Sequence, residues 1–337
     1  MKKMRLWLTT AATAIALAAG MNASAPSPAA AHTSAPRHSS MDVRVAVGVD
    51  GLSSATIHAE QYAPVRHARG VQVFIPGVTY DHRYFDLRTK AGTVSQAQQA
   101  ARDGWVAIAL DRIGTGRSTK PAAESVTTVA HVASIDHFID TISRRYARLP
   151  IVLVGHSYGS VVAEGVAAQS DKVDALVVTG FMYRKTQPSF DGFPALVAAA
   201  TDPLFSHKTL PSGYLTTAPN SRTFFYHLPN TNPATLAADE ATKSTTTAAE
   251  VPGFATELTT GAFAASVRVP VLDVVGDHDY LYVGGDPTAF VPDQKQAFSS
   301  ARHVDAVLIK NAAHDLAMHR NAAQTTDLIN QWAAAHS

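Results

Sequence analysis

The sequence contains no cysteine, little charge and no apolar run of the length that a membrane span needs. The lack of cysteine excludes disulfides and cysteine-ligated metal sites. Charged residues make up only 16% of the chain and the formal net charge is +1, so no basic face for nucleic acid is indicated. Apolar residues are abundant: at 46% of 337 residues they suffice for a large buried core.

The first 31 residues predict an export signal. Three of the first five residues are basic, and residues 6–20 form an uncharged, alanine-rich run that is short for a membrane helix of about 20 residues. Small residues follow, so cleavage after Ala25 or after Ala31 fits equally; a retained N-terminal anchor is the alternative. Without this segment the chain has 25 basic and 27 acidic side chains, a formal net charge of −2. We expect a secreted protein with no stable membrane anchor after cleavage.

Beyond this signal, the sequence predicts an α/β fold. Residues 32–40 are rich in Ala, Ser and Pro and predict a disordered lead-in. Residues 42–49 and 55–62 predict an early strand pair. Short, almost wholly apolar runs, typical of strands buried on both faces, follow at 71–75, 106–110, 151–154, 175–178, 271–275 and 304–309. Helical stretches lie at 94–103, 126–146, 161–170, 294–301 and 322–335. This alternation predicts a mainly parallel sheet of about eight strands, flanked by helices.

One connection is far longer than the others. About 90 residues separate the sixth predicted strand from the next. The segment 181–267 is rich in aromatic residues, which argues against a disordered insert. We therefore expect a core formed by residues 41–180 and 268–337, with a cap or lid over it.

The segment Gly155-His156-Ser157-Tyr158-Gly159 is the strongest chemical signal. It lies directly between a predicted strand and a predicted helix, the context that a nucleophile elbow requires. The turn would place Ser157 at the positive end of a helix, close to backbone N–H groups that could stabilise an oxyanion. Ser157 is the candidate nucleophile.

A serine nucleophile needs a base, and the base needs an orienting carboxylate. His314 follows the last predicted strand, and Asp277 and Asp279 follow the strand before it. The carboxyl ends of the strands are where open α/β sheets bind ligands. These positions make His314 the candidate base and leave two candidates for the acid. A metal site at Asp277-His278-Asp279 lacks a third ligand, so no metal is predicted.

The elbow, the order Ser157–Asp279–His314 and the run 111–118, which reads D-x-x-G-x-G-x-S, resemble the α/β-hydrolase superfamily. The resemblance extends from about Val71 to the C-terminus. Its G-x-x-D spacing favours Asp279 over Asp277 as the acid. It also implies hydrolysis through an acyl-enzyme, and it argues against haloalkane dehalogenases and epoxide hydrolases, whose elbow carries Asp.

The same resemblance implies an oxyanion hole formed by two backbone N–H groups, those of Tyr158 and Val78. Related enzymes commonly have His-Gly just before the second donor, whereas this chain has Pro76-Gly77. Gly77 keeps the backbone freedom that such a loop needs.

Together these features predict a carboxylesterase-like serine hydrolase that needs no cofactor. The aromatic cap indicates a largely apolar pocket, so an ester or lactone of a small to medium hydrophobic substrate is expected. A thioesterase or acyltransferase would use the same three residues, and a cofactor-free haloperoxidase would share the fold. A binding protein with an inactive catalytic site belongs to a different class of protein. The presence of all three triad residues argues against that function.

Overall fold

A computed structural model of the chain describes residues 35–184, 192–282 and 285–337. The predicted signal peptide, residues 1–31, and residues 32–34 of the predicted lead-in lie outside the described residues. In the part of the chain that the structure describes, no helix combines the length and the apolar character needed to cross a membrane.

The described residues form strands and helices in alternation. The strands are β1 (Arg37–Val49), β2 (Leu52–Ala63), β3 (Gly70–Ile75), β4 (Asp86–Thr89), β5 (Gly92–Ser95), β6 (Trp105–Leu110), β7 (Ile151–His156), β8 (Ala175–Thr179), β9 (Leu196–Ala198), β10 (Tyr214–Thr217), β11 (Thr246–Thr247), β12 (Val271–Gly276) and β13 (Val304–Ile309). The α-helices are α1 (Gln96–Arg102), α2 (Thr128–Arg145), α3 (Tyr158–Gln169), α4 (Pro233–Thr242), α5 (Glu250–Thr260), α6 (Ala262–Ser266), α7 (Pro287–Ala297) and α8 (Ala322–His336).

Eight strands form the central sheet, in the order β1-β2-β6-β3-β7-β8-β12-β13. Within this sheet the six strands β6, β3, β7, β8, β12 and β13 pair in parallel with their neighbours. At the other edge β1 pairs antiparallel with β2, and β2 pairs antiparallel with β6. Alternate residues of β3 enter two separate cores, with Val73 on one face of the sheet and Phe74 on the other. Such two-sided burial explains why the parallel strands read as continuous apolar runs. The predicted α/β fold is confirmed.

The predicted lead-in is wrong for residues 37–40, because β1 begins at Arg37 and not near Asp42. Residues 37–40 pair with residues 60–63 of β2. The His38 ring also stacks on Tyr62, with centroids 4.7 Å apart. Main-chain hydrogen bonds hold this half of the strand although its side chains are exposed, so composition alone gave a misleading signal.

Several helix boundaries differ from the prediction by a few residues, and two of the differences have a clear local cause. Residues 94 and 95 end β5, and the Ser95 hydroxyl then caps α1 by accepting a hydrogen bond from Gln98 N–H (3.0 Å). Helix α7 begins seven residues before the predicted 294, at Pro287, after the capping residue Asp286. A proline in the first turn behind an Asp cap is a helix start that apolar periodicity does not reveal.

The segment between β8 and β12 contains a small antiparallel sheet, β11-β10-β9, and helices α4 to α6. Helix α5 lies tightly against α2: a Cβ added to Gly253 would lie 2.3 Å from Thr128 Oγ1. The Thr128 hydroxyl also donates to Glu250 O (3.2 Å), at the first residue of α5. This close contact fixes the position of α5 beside the carboxyl end of the sheet.

Candidate active site

Ser157 occupies a sharp turn between β7 and α3. Its backbone has φ 53° and ψ −123°, a conformation that costs a residue with a side chain on the order of 1–3 kcal/mol. Neighbouring glycines allow the turn: a Cβ on Gly159 would lie 2.2 Å from Ile75 O, and one on Gly155 would lie 2.7 Å from Gly159 O. The Ser157 N–H donates to Thr179 O (2.8 Å). The strain is thus held by the strands on both sides of β7.

His314 and Asp279 form a buried hydrogen-bonded pair. His314 Nδ1 lies 2.9 Å from Asp279 Oδ2, and Asp279 Oδ1 accepts a hydrogen bond from Leu281 N–H (2.9 Å). Asp277 instead contacts the ring of His278, with 2.7 Å between Oδ1 and Nδ1. The structure therefore brings Asp279 to His314, and leaves the alternative acid, Asp277, on a different partner.

The carboxylate of Asp279 raises the pKa of His314. Burial alone would lower the pKa of His314, but the charge of Asp279 and its hydrogen bond outweigh that effect and raise the pKa above its ordinary value. The nearby Asp315 carboxylate acts in the same direction, and the Arg222 cation opposes it. The pair is thus arranged to stabilise a protonated imidazole.

Other rings surround His314. The centroid of Tyr280 lies 4.8 Å from that of His314, Phe225 lies at 5.5 Å and His156 at 4.9 Å. The Tyr84 ring stacks on the His156 ring, with centroids 4.0 Å apart. Burial, and then the neighbouring His314, lower the pKa of His156 well below its ordinary value, so His156 is neutral. These rings pack around the His314 imidazole and restrict its orientation.

Ser157 and His314 line one cavity of about 320 Å³. Both residues of the expected oxyanion hole, Val78 and Tyr158, line it too. Its other walls are largely apolar and come mainly from the segment between β8 and β12, including Phe193, Leu196, Phe225, Val251, Phe254, Ala255 and Leu258. Four of these, at 251, 254, 255 and 258, follow the i, i+3, i+4, i+7 spacing of one helix face. Helix α5 therefore forms one wall of the cavity.

The loop after β3 lies against the elbow. A Cβ on Gly77 would lie 2.9 Å from Ser157 Cβ, so only glycine allows this approach. The side chain of Arg112 holds the loop from behind: Nε donates to Pro76 O (2.9 Å) and Nη2 donates to Gly77 O (3.0 Å). Arg112 in turn contacts Glu250 of α5, with 2.5 Å between Nη1 and Oε1. No local sequence pattern indicates this contact.

Two clusters among the described residues could hold a metal ion by proximity, His58–His82–Asp111 and His303–Asp305–His336. Neither includes a residue of the Ser157 cavity. In the more buried cluster the ligand atoms already share hydrogen bonds: His82 Nδ1 lies 2.7 Å from Asp111 Oδ1, and both His58 nitrogens contact carboxylates. Hydrogen bonding accounts for this grouping without an ion.

A sequence model of the alpha/beta hydrolase family matches residues 72–328, which is more than half of the chain. The chain therefore belongs to the alpha/beta hydrolase family, as the resemblance of its motifs implied. No curated protein sequence matches it significantly.

Solved structures resemble the chain over most of its length. A thermostable carboxyl esterase from Bacillus coagulans has a TM-score of 0.62 at 16% identity, covering 89% of this chain and 98% of its own. A thermophilic esterase from Thermogutta terrifontis has a TM-score of 0.57 at 16% identity, covering 88% and 100%. An epoxide hydrolase from Vigna radiata has a TM-score of 0.52 at 16% identity, covering 87% and 97%. These similarities establish the fold, and since they span different reactions they do not decide the chemistry.

Proposed function

We propose that the protein is a secreted serine hydrolase that cleaves carboxylic esters or lactones of small to medium hydrophobic substrates. One observation carries the proposal: a strained Ser157 and a His314 already paired with Asp279 line the same apolar cavity. A serine, a histidine and a carboxylate in this relation are the components of nucleophilic acyl transfer.

The reaction would begin when His314 takes the proton of Ser157 and the Ser157 oxygen attacks the substrate carbonyl. The N–H groups of Val78 and Tyr158 would donate hydrogen bonds to the resulting oxyanion. That of Tyr158 is available for this role because the first N–H groups of a helix have no partner within it. His314 then protonates the departing alcohol. A water that has lost its proton to His314 attacks the acyl-enzyme, releasing the acid and restoring Ser157.

The cavity supports a limit on substrate size. Its volume of about 320 Å³ lies at the lower end of the range of about 300–1,000 Å³ that is usual for ligand sites. The walls of the cavity are mainly aliphatic and aromatic. Transfer of an apolar acyl chain from water to these walls is therefore favourable.

The test is hydrolysis of p-nitrophenyl esters from acetate to palmitate by the wild type and by Ala255→Phe. We expect the wild type to hydrolyse short and medium chains and to lose activity on palmitate. A phenylalanine at position 255 fills the groove on the α5 face, so kcat/KM for medium chains should fall about 10–200-fold relative to that for acetate.

The matched control is Thr256→Phe, which adds the same bulk at an exposed neighbouring position outside the cavity. It should keep the wild-type chain-length profile. Absence of turnover on every ester by the wild type would contradict the proposed function, and identical profiles for the two variants would contradict the role of the α5 face.

Export is proposed from the N-terminal sequence alone. The basic start, the uncharged run 6–20 and the small residues after it are the support. Protein recovered from the culture medium should have an intact mass that corresponds to a chain beginning at Pro26 or at His32. Finding the protein only in cells, with its first 31 residues still attached, would contradict the proposal.

A further inference from the structure

A buried ionic cluster outside the triad joins three parts of the chain. Arg112, in the loop after β6, is fully buried, and its Nη1 lies 2.5 Å from Oε1 of the equally buried Glu250. The same carboxylate oxygen lies 2.6 Å from Nε2 of His131 in α2. Glu250 is the first residue of α5 and also lines the Ser157 cavity. The cluster thus links the core, α2 and the segment that covers the cavity.

The charges within this cluster are well defined. Burial would raise the pKa of Glu250, but the charge of Arg112 and the hydrogen bonds from His131 and Thr246 outweigh it and lower the pKa to about 2. Burial, and then the charge of Arg112, lower the pKa of His131 to about 4. At neutral pH the cluster therefore holds one cation, one anion and a neutral imidazole. Removing the anion would leave a buried cation without its partner, which is strongly unfavourable.

Two other N–H groups of Arg112, on Nε and Nη2, are directed at the loop after β3, residues 76–78, which we call the oxyanion loop. Nη2 donates to Gly77 O, and Nε donates to Pro76 O. The Gly77 carbonyl and the Val78 N–H belong to a single planar peptide group, which is trans, so the two point in opposite directions. Fixing the carbonyl therefore fixes the direction of the N–H. A cation at the carbonyl end also polarises the amide and makes its N–H a stronger donor.

Arg112 lies close to the other expected donor residue as well. Its guanidinium carbon lies 4.9 Å from the centre of the Tyr158 ring. The Tyr158 hydroxyl is hydrogen-bonded to Thr128 Oγ1 (2.8 Å), on the helix that α5 packs against. One guanidinium group thus contacts the peptide group that carries the Val78 N–H, through Gly77 O, and the ring of Tyr158, the other expected donor residue.

We propose that Arg112 is the positioning residue of the oxyanion hole, and that Glu250 makes the geometry of the hole depend on the placement of α5. This inference rests on the proposed ester hydrolysis. It goes further in assigning control of transition-state stabilisation to an ion pair that forms no hydrogen bond with Ser157, His314 or Asp279.

The test compares the wild type with Arg112→Lys, which keeps the charge but loses the planar fork that holds two carbonyls at once. Removing one oxyanion donor outright costs about 10²–10³ in kcat, so misdirecting one should cost about 10–10². KM should change less than about twofold, because the ground-state ester makes no use of a hole built for an anion. A loss of packing alone would not produce this division.

A second readout separates positioning from general damage. A trifluoromethyl ketone forms a tetrahedral adduct with a serine and places an oxyanion in the hole, whereas the alcohol of the same chain length binds without one. Arg112→Lys should weaken binding of the ketone in proportion to its loss in kcat and leave binding of the alcohol unchanged. Glu250→Gln, which keeps the shape of the side chain, should change the ketone-to-alcohol affinity ratio in the same direction, and it carries the test should Arg112→Lys not fold.

The matched control is Asp202→Asn. Asp202 forms another buried ion pair in the same segment, 2.9 Å from Lys243 Nζ, and it does not line the cavity. This variant should lower the unfolding temperature without altering the ketone-to-alcohol ratio. The inference is overturned if Arg112→Lys and Glu250→Gln keep the wild-type ratio while the wild type hydrolyses esters. A wild type that hydrolyses no ester overturns both the inference and the function beneath it.

Discussion

Replacing Ser157 with alanine should lower kcat for ester hydrolysis by about 10⁴–10⁶. The substitution removes the hydroxyl oxygen that forms the acyl-enzyme in the proposed mechanism. The elbow itself should persist, because its backbone is held by the Thr179 hydrogen bond and by the close approach of Gly159 to β3. KM should therefore change little, since the apolar cavity stays intact. Steady-state kinetics on the best p-nitrophenyl ester, with circular dichroism of both proteins, measures the effect.

Ser160→Ala is the control for loss of a hydroxyl at the same elbow. Ser160 lies one turn further along α3, is fully buried, and its hydroxyl is hydrogen-bonded to Thr179 of β8 and not to any group in the cavity. We expect a modest loss of stability, on the order of 1 kcal/mol, and kcat close to that of the wild type. A Ser157→Ala protein that retained the wild-type rate would rule out Ser157 as nucleophile.

Asp279→Asn should lower kcat by about 10⁴. The amide cannot stabilise a protonated His314, and it can hold the imidazole in the wrong tautomer. Asp277→Asn is the matched control, because it makes the same chemical change two residues away, at a side chain that contacts His278 instead. Equal losses in the two variants would contradict the assignment of Asp279 as the acid of the pair.

The pH dependence of kcat/KM gives a second, independent measure of the same pair. His314 must be neutral to act as a base, so activity should fall as the pH decreases through the pKa of His314. That pKa is raised by Asp279, so the loss should set in above the ordinary histidine value of about 6.5. Asp279→Asn should shift the midpoint to lower pH, whereas Asp277→Asn should leave it in place. A wild-type midpoint below the ordinary value would contradict the raised pKa.

The features that could be predicted from the sequence are those that depend on neighbouring residues. The elbow needs only a strand, a glycine-flanked serine and a helix in succession, and all three are visible within about twenty residues. His314 could be placed because it follows the last strand of a parallel sheet. Spacing from the family favoured Asp279 over Asp277. In the structure the Asp279 carboxylate contacts the His314 ring, whereas the Asp277 carboxylate contacts the His278 ring.

The features that escaped prediction depend on contacts between distant parts of the chain. Arg112 and Glu250 are 138 residues apart, and no local pattern distinguishes Glu250 from any other acidic residue at the start of a helix. The first half of β1 was missed for a related reason: its pairing with β2 supplies the order that its polar side chains do not indicate. Local sequence indicates the nucleophile, whereas the residues that support the oxyanion loop are brought together only by long-range tertiary contacts.

The close packing of α5 against α2 at Gly253 limits how the substrate range of this protein can evolve. Single substitutions at positions 251, 255 and 258 can reshape the cavity while the helix stays seated on α2. A one-residue insertion between Glu250 and Gly253 would instead rotate the rest of the helix by about 100°, because an α-helix has 3.6 residues per turn. Side chains would then replace Gly253 at a contact that has no room for a Cβ. New specificities should therefore arise by substitution of residues along α5 without any change in the length of the helix. Insertions and deletions should accumulate in other parts of the segment between β8 and β12.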